Sequence, residues 1–308
     1  MKKLLNIDGG GIRVYFSLLI LNYIEKKTGK NILDLFDYFA GVSASSIVLS
    51  ALLTKYTVQE MLKLFKEISE KIFYRSLIHM MKSGFGFFDS KYTDYYINIE
   101  LEKMFANYKL NDLKKPLSIL TYDLKTSKAL CFYSYKKNND NDLWKIIRGS
   151  TAAPTYFCPY ILDNHIMIDG GVVTNNLSEA IFVDALEYYG HNEEFFQLSI
   201  GTGFYRNKTN NVPSGILSWL SSDNNAGSII DVFFNASSSY EMSTLDKLYK
   251  LECLKNFYRV DIELPVDIKL DDCNSFDLIE KIFNDWINED INKNYLDNMI
   301  QELFLLSK

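Results

Sequence analysis

The chain has 308 residues, 47% hydrophobic and 15% aromatic, which is ample for a large core and unlike a disordered chain. A formal net charge of -6, with no long basic run, argues against a general nucleic-acid binder. Cys131, Cys158, Cys253 and Cys273 are scattered in neither a zinc nor a disulfide pattern, so a reduced, cytoplasmic setting is expected. The opening apolar stretch, Leu4 to Ile7, is cut by Asp8 and is too short for a signal peptide; no apolar run is long enough to span a membrane.

In chain order, Leu4 to Ile7 reads as a buried strand, followed by Asp8-Gly9-Gly10-Gly11-Ile12-Arg13. A helix follows with apolar residues at Phe16, Leu19, Ile20, Tyr23 and Ile24, and Gly29 as its C-cap. Tyr38 to Ala40 is a short apolar run ending at Gly41; Ser43 sits at a turn, and a buried helix continues through Ile47, Val48, Ala51 and Leu52. A second helix spans about Val58 to Phe73. Leu77 to Phe88 is apolar, glycine-broken and poorly periodic; core loop is the favoured reading, and a mobile apolar lid or membrane-touching segment is the sharper one.

Tyr92 to Tyr108 reads as a helix, Leu117 to Tyr122 and Ala129 to Tyr135 as neighbouring strands, and Leu143 to Arg148 as a short helix. The small residues Gly149 to Ala153, closed by Pro154, suit a tight crossing beneath an active site. His165 to Ile168 is a strand ending at Asp169-Gly170-Gly171, a helix runs from about Leu177 to Tyr189, and Phe196 to Ile200 is another strand. Strands alternating with helices imply an α/β sheet with function at the strand ends. Beyond Gly203, a polar loop (Asn207 to Ser214), a helix (about Gly227 to Glu252), a strand (Phe257 to Leu264) and one helical stretch (Phe276 to Leu306) are expected.

Several of these residues can carry chemistry. A serine on a strand-to-helix elbow presents its hydroxyl outward with a helix N-terminus behind it; the usual pattern is G-x-S-x-G, and here Ser45 stands at the last position. The glycine triplet before a helix suits anion or oxyanion binding through its amides, but a flexible turn or a nucleotide loop would also use it. The dinucleotide and Walker patterns are not matched, because Val14 stands where a glycine is needed and no G-K-[ST] is present. The three histidines, His79, His165 and His191, lie in stretches that read as surface or packing. A carboxylate can take the base role: Asp169 is the first candidate, against a plain Asp-Gly turn, and Asp8 the second, against a loop-ordering role. Gly9, Gly10 and Gly11, with the Ala44 amide, would be oxyanion donors, and Arg13 would face a substrate phosphate or form a salt bridge at the helix start.

Taken together, D-G-G-G-I-R at Asp8 to Arg13, G-V-S-A-S at Gly41 to Ser45 and D-G-G at Asp169 to Gly171 resemble the patatin-like phospholipase family. S-T-A-A-P-T-Y-F at Ser150 to Phe157, V-V-T-N-N after Gly171 and L-S-I-G-T-G at Leu198 to Gly203 look like its flanking blocks, so the likeness covers about Lys3 to Gly203. The resemblance implies a three-layer α/β/α sandwich and a serine–aspartate dyad without histidine: Ser43 as nucleophile, Asp169 as base, Gly9 to Gly11 as oxyanion hole, and no metal or cofactor for the dyad. Three residues depart from the pattern. Ser45 replaces the second elbow glycine, as in the similar cytosolic phospholipase A2 branch; Val14 replaces a glycine and Leu177 a proline. A side chain at Ser45 is expected to crowd the elbow helix against its strand.

The expectation is a lipid acyl hydrolase of phospholipase A or lysophospholipase type, with a catalytic core over 1–205 and a mainly helical C-terminal part over 206–308 packed on the same domain. Its partners would be a phospholipid or other acyl-lipid substrate and, transiently, a membrane surface. Two other readings stay open: an acyltransferase using the same acyl-enzyme, and a non-catalytic lipid-binding module. Neither the oligomeric state nor delivery to a host cell as an effector is legible.

Overall fold

The computed structural model describes residues 1–84, 88–136, 140–206, 229–250 and 256–306. Phe85 to Phe87 of the apolar segment, the loop expected at Asn207 to Ser214, Gly227, Glu252 and Cys253 lie outside the described residues.

Among the described residues, eight strands form one mixed sheet: β1 (Lys2–Ile7), β2 (Tyr38–Val42), β3 (Leu117–Asp123), β4 (Lys128–Tyr133), β5 (Tyr160–Leu162), β6 (His165–Asp169), β7 (Phe195–Ile200) and β8 (Asn256–Val260). Its order is β5-β6-β3-β2-β1-β7-β8, with β4 also on β3. The pairs from β3 through β2, β1 and β7 to β8 are parallel.

The topology around β3 positions the site. β4 pairs antiparallel with β3 over Ser118 to Asp123, so β2 and β6 must share the other edge. β2 pairs with it up to Val42 opposite Leu120, and β6, running the other way, takes over with Asp169 opposite Thr121. The two strands therefore run toward one another along one edge of β3, and the chain leaves both at the same point.

Helices cover both faces. Leu5, Ile7, Phe39, Ile119 and Leu198 point into a core shared with α1 (Val14–Thr28), α3 (Ala44–Thr54), α4 (Val58–Ile72), α6 (Asp94–Phe105), α7 (Leu143–Ser150), α10 (Phe276–Asn288) and α11 (Asp290–Leu305). Their neighbours Leu4, Tyr38, Ala40, Val42 and Leu120 point to the opposite side, against α8 (Ser178–Tyr189) and α9 (Ile229–Lys250). This is the period-2 alternation of a sheet buried on both sides, and it makes a three-layer α/β/α sandwich. α2 (Ile32–Leu35) is a single turn before β2.

Local sequence explains the boundaries. α1 stops at Gly29, whose left-handed backbone (φ 65°) lets its N–H donate to the Glu25 carbonyl. α4 opens on a capping box in which Thr57 and Glu60 satisfy each other's amides. α3 carries no charge, and Ala44 to Leu53 are all buried. Burying each large apolar side chain there contributes roughly 1.5–3 kcal/mol.

The fold differs from expectation at three places. β5 has no counterpart in the sequence pattern; three residues are too few for a periodic signal, and it exists by pairing with β6. The expected single helix from Phe276 breaks at Glu289, which is extended (φ -73°, ψ 125°). There Asn292 Nδ2 donates to the Trp286 carbonyl at 3.1 Å, closing the last turn of α10. The reading of Leu77 to Phe88 as core loop is overturned: α5 (Leu77–Lys82) stands out from the body, with Leu77, Ile78 and Met81 76%, 69% and 77% exposed. The excursion leaves at Phe73 and returns at Tyr92, both packed against Phe157, so it is pinned at its roots and projects between them.

Beyond residue 205, β8 extends the sheet beside β7, and Tyr15 packs edge-on against Phe276 at the start of α10. Among the described residues no helix is long and apolar enough to cross a membrane.

Candidate active site

Ser43 follows β2 directly and precedes α3, with φ 56° and ψ -134°. A side chain in that left-handed region is strained, and the strain is what turns the hydroxyl out of the chain's path. The elbow is held by bonds on every side. Ser46 N–H and Ser46 Oγ both bond the Ser43 carbonyl, at 3.0 and 2.6 Å, and the Ser43 N–H donates to Ser150 Oγ at 3.0 Å.

Ser45, expected to crowd the elbow, instead ties it. Its fully buried hydroxyl accepts the Val42 N–H at 2.9 Å and lies 2.8 Å from the carbonyls of both Ile7 and Val42. The side chain thus joins the ends of β1 and β2.

Ser43 Oγ donates to Asp169 Oδ2 at 2.6 Å. Asp169 is fully buried, and its second oxygen accepts the Gly171 N–H at 2.8 Å. Burial pushes its carboxyl up to about 7, against the downward pull of the Ser43 and Gly171 hydrogen bonds. Gly170 must be glycine, since a Cβ there would lie 2.4 Å from the Leu120 carbonyl oxygen. Among the described residues no histidine touches this pair: His165 bonds Asp123 and His79 bonds the Ser90 carbonyl.

The glycine triplet lies beside the elbow, with Gly11 and Ser43 both on the wall of one pocket. Gly11 has φ 55° and fits against Leu270, whose carbonyl oxygen would meet a Cβ at 2.1 Å. One of the three expected donors is corrected: the Gly9 N–H is spent on the Asn175 carbonyl at 3.1 Å. The Gly9 carbonyl in turn accepts from Asn175 Nδ2 at 2.7 Å and Thr202 Oγ1 at 2.9 Å, so Gly9 anchors the loop. The Gly10 and Gly11 amides have no partner among the described residues, nor does that of Ala44 at the start of α3.

Asp8 orders this loop rather than acting as a base. Arg259 of β8 grips it with two bonds, 2.9 and 2.6 Å, and also bonds Asp261 and Ser199 at 2.7 Å each. Burial raises the Asp8 carboxyl while the guanidinium opposes the rise. Arg13 is corrected as well: it is 6% exposed and does not line the pocket, so it is enclosed in the fold rather than facing a phosphate.

The pocket is walled mainly by Ile47, Phe65, Ile68, Ile72, Phe73, Ile97 and Phe157. Such a wall takes hydrocarbon and offers few polar contacts. Sequence reading alone does not find Arg259, Leu270 or the anchoring roles of Asn175, Thr202 and Ser150. Asn175, Thr202 and Ser150 stand in blocks that the sequence singles out; Arg259 and Leu270 carry no local signal.

A buried sheet with a strained serine elbow, a buried aspartate in hydrogen-bond contact with it and an apolar pocket has the parts of a lipid-ester hydrolase. The patatin-like phospholipase family model matches residues 5–181, more than half of the chain, and the chain belongs to that family. Patatin-like protein 2 of Arabidopsis thaliana is 28% identical over 308 aligned residues, 83% of this chain and 74% of its own length. Calcium-independent phospholipase A2-gamma of Oryctolagus cuniculus is 28% identical over 230 residues, 68% of this chain but only 29% of its own length. Intracellular phospholipase A2 of Caenorhabditis elegans is 24% identical across 98% of this chain and 29% of its own length. Among solved structures, VipD from Legionella pneumophila covers 92% of this chain and 67% of its own, with a TM-score of 0.45 and 13% identity.

Proposed function

We propose that this chain cleaves fatty-acyl esters of phospholipids or lysophospholipids through a Ser43–Asp169 dyad. The observation that carries the reading is the 2.6 Å bond from Ser43 Oγ to a fully buried Asp169, with Ser43 lining an apolar pocket. Ser43 Oγ attacks the ester carbonyl as its proton passes to Asp169 Oδ2. The oxyanion is met by the amides of Gly10, Gly11 and Ala44, and the proton on Asp169 leaves with the alcohol. Asp169, ionised again, takes a proton from the water that attacks the acyl-enzyme, and returns it to Ser43 Oγ as the acyl–oxygen bond breaks and the fatty acid leaves. A base held near neutrality suits this double role.

The acyl chain lies in the pocket, and α5 rests on the lipid surface from which it is drawn. Three exposed apolar side chains on one short helix, rooted beside the pocket at Phe73, support that placement. The protein therefore acts peripherally on a membrane.

Fatty-acid release from phospholipid vesicles, compared with hydrolysis of a short soluble ester, tests both statements. Ser43→Ala and Asp169→Asn should each lower both rates at least about a thousandfold, the scale expected when one member of a catalytic unit is lost. Leu77→Ser with Ile78→Ser should lower only the vesicle rate, several-fold. Wild-type rates in either dyad variant would refute the dyad, and equal losses on both substrates in the α5 variant would refute the docking role.

A further inference from the structure

Ser150 and the turn that follows it hold both halves of the proposed dyad. Ser150 is fully buried at the end of α7. Its Oγ accepts the Ser43 N–H at 3.0 Å and donates to the Leu120 carbonyl at 2.7 Å. Two residues on, the Ala152 carbonyl accepts the Asp169 N–H at 3.0 Å.

The sheet explains why this clamp is needed. β2 and β6 meet head to head along β3, so the Ser43 and Asp169 amides stand at the gap between two strand ends. A buried amide left unpaired there would cost stability and leave the backbone free to turn. The Ser150–Ala152 turn fills the gap from α7. It is itself fixed from below: Arg148, fully buried, donates to Asp94 at 2.5 Å, Asn98 at 2.9 Å and the Cys158 carbonyl at 3.2 Å.

Resting on the dyad reading above, we infer that Ser150 is a positioning residue of the reaction. Its hydroxyl pins the backbone of Ser43 in the left-handed conformation that directs Oγ at Asp169. It touches neither substrate nor a reacting atom. Ser150→Ala removes the acceptor and little volume, so its effect reports the hydrogen bond rather than packing.

The test is steady-state kinetics of Ser150→Ala on a short soluble ester as a function of pH, with melting midpoints and fluorophosphonate labelling of Ser43 measured beside it. A misplaced nucleophile costs up to about a hundredfold, so kcat should fall about 10- to 100-fold while KM stays within about twofold. The acid limb of the profile should also move up, because a loosened Ser43 no longer holds the Asp169 carboxyl down. A folded Ser150→Ala with wild-type kcat overturns the inference, and so does a loss of rate with the limb unmoved. If Ser150→Ala does not fold, Ser150→Cys, a much weaker acceptor, is read by the same two criteria. A wild type that hydrolyses no ester and is not labelled at Ser43 overturns the dyad and this inference together; labelling of Ser43 with an unaffected Ser150→Ala overturns the inference alone.

Discussion

Two turns of this molecule share one sequence, Asp-Gly-Gly at the exit of a buried strand. β1 leads into Asp8-Gly9-Gly10 and β6 ends at Asp169 before Gly170-Gly171. Both carboxylates are buried, and burial pushes both up, to about 6 and about 7. Their partners separate them. Asp8 faces a guanidinium that bonds both of its oxygens, and Asp169 faces a serine hydroxyl and one amide. A carboxylate with both oxygens gripped by a fixed guanidinium is a strut, because neither oxygen is left to reach a reacting group. One held only by neutral donors keeps its proton affinity near neutrality and can exchange a proton with whatever lies within reach. The same three residues thus serve architecture at one strand end and fit chemistry at another.

Removing the strut's cation should make the largest difference. Arg259 and Asp8 are 14% and 4% exposed, and truncating one partner of such a buried pair costs about 3–5 kcal/mol, because the other charge is left without compensation. Arg259→Leu should therefore lower the unfolding free energy by that order. With the cation gone the Asp8 carboxyl rises further, so it takes a proton at low pH and escapes part of the cost. The destabilisation should accordingly be larger at pH 8 than at pH 5. Adding Asp8→Asn should recover part of it. Denaturant melts at the two pH values check this, and a pH-independent loss would show that Arg259 acts by packing alone.

The second test concerns Asp169 and works through its own titration. The folded state holds its proton up to about 7, the unfolded chain only to the ordinary carboxylate range near 3.8. Between those values the folded state binds more protons, so stability present at low pH is lost as pH rises through about 7. Asp169→Asn removes that loss. A tenfold change in proton affinity is worth about 1.4 kcal/mol, so the variant should gain a few kcal/mol over wild type above pH 7 and little at pH 4. The same ionisation predicts that kcat/KM on a soluble ester rises through an acid limb near 7 to a plateau. A limb near 4 would mean that Asp169 is solvated in solution and no different in kind from a surface carboxylate.

Much of this was legible in the sequence because the chemistry sits in contiguous turns. Ser43, Asp169 and the glycine triplet each lie at a strand end where small residues crowd, and such clusters announce themselves locally. What could not be read was who faces whom. Arg259 meets Asp8 across 251 positions and Ser150 meets Ser43 across 107. The first follows from strand order and the second from how α7 packs beneath the sheet, and no local pattern encodes either. The Gly9 amide and the Arg13 side chain look like ligand contacts because their residue types suit binding, but the first is occupied by Asn175, 166 positions away, and the second is buried. α5 misleads differently. Apolar residues with weak periodicity resemble core, yet Leu77, Ile78 and Met81 stand exposed.

The smallest expected effect joins the two turns through Ser45. Its hydroxyl accepts the N–H of Val42, the residue before Ser43, and has its one proton within reach of the carbonyls of Val42 and of Ile7, the residue before Asp8. A glycine at this position would satisfy the usual elbow pattern but would break that link. It would also leave the buried Val42 amide without its acceptor and add backbone entropy at the start of α3. Together these should cost about 1–2 kcal/mol. Activity should stay within about twofold, because Ser150 and Ser46 still hold the elbow from the other sides. Melting midpoints and soluble-ester kinetics of Ser45→Gly check both numbers. A marked rise in kcat would mean that the link restrains a motion of the nucleophile toward the substrate, and that the strut at Asp8 and the base at Asp169 are coupled through this one hydroxyl.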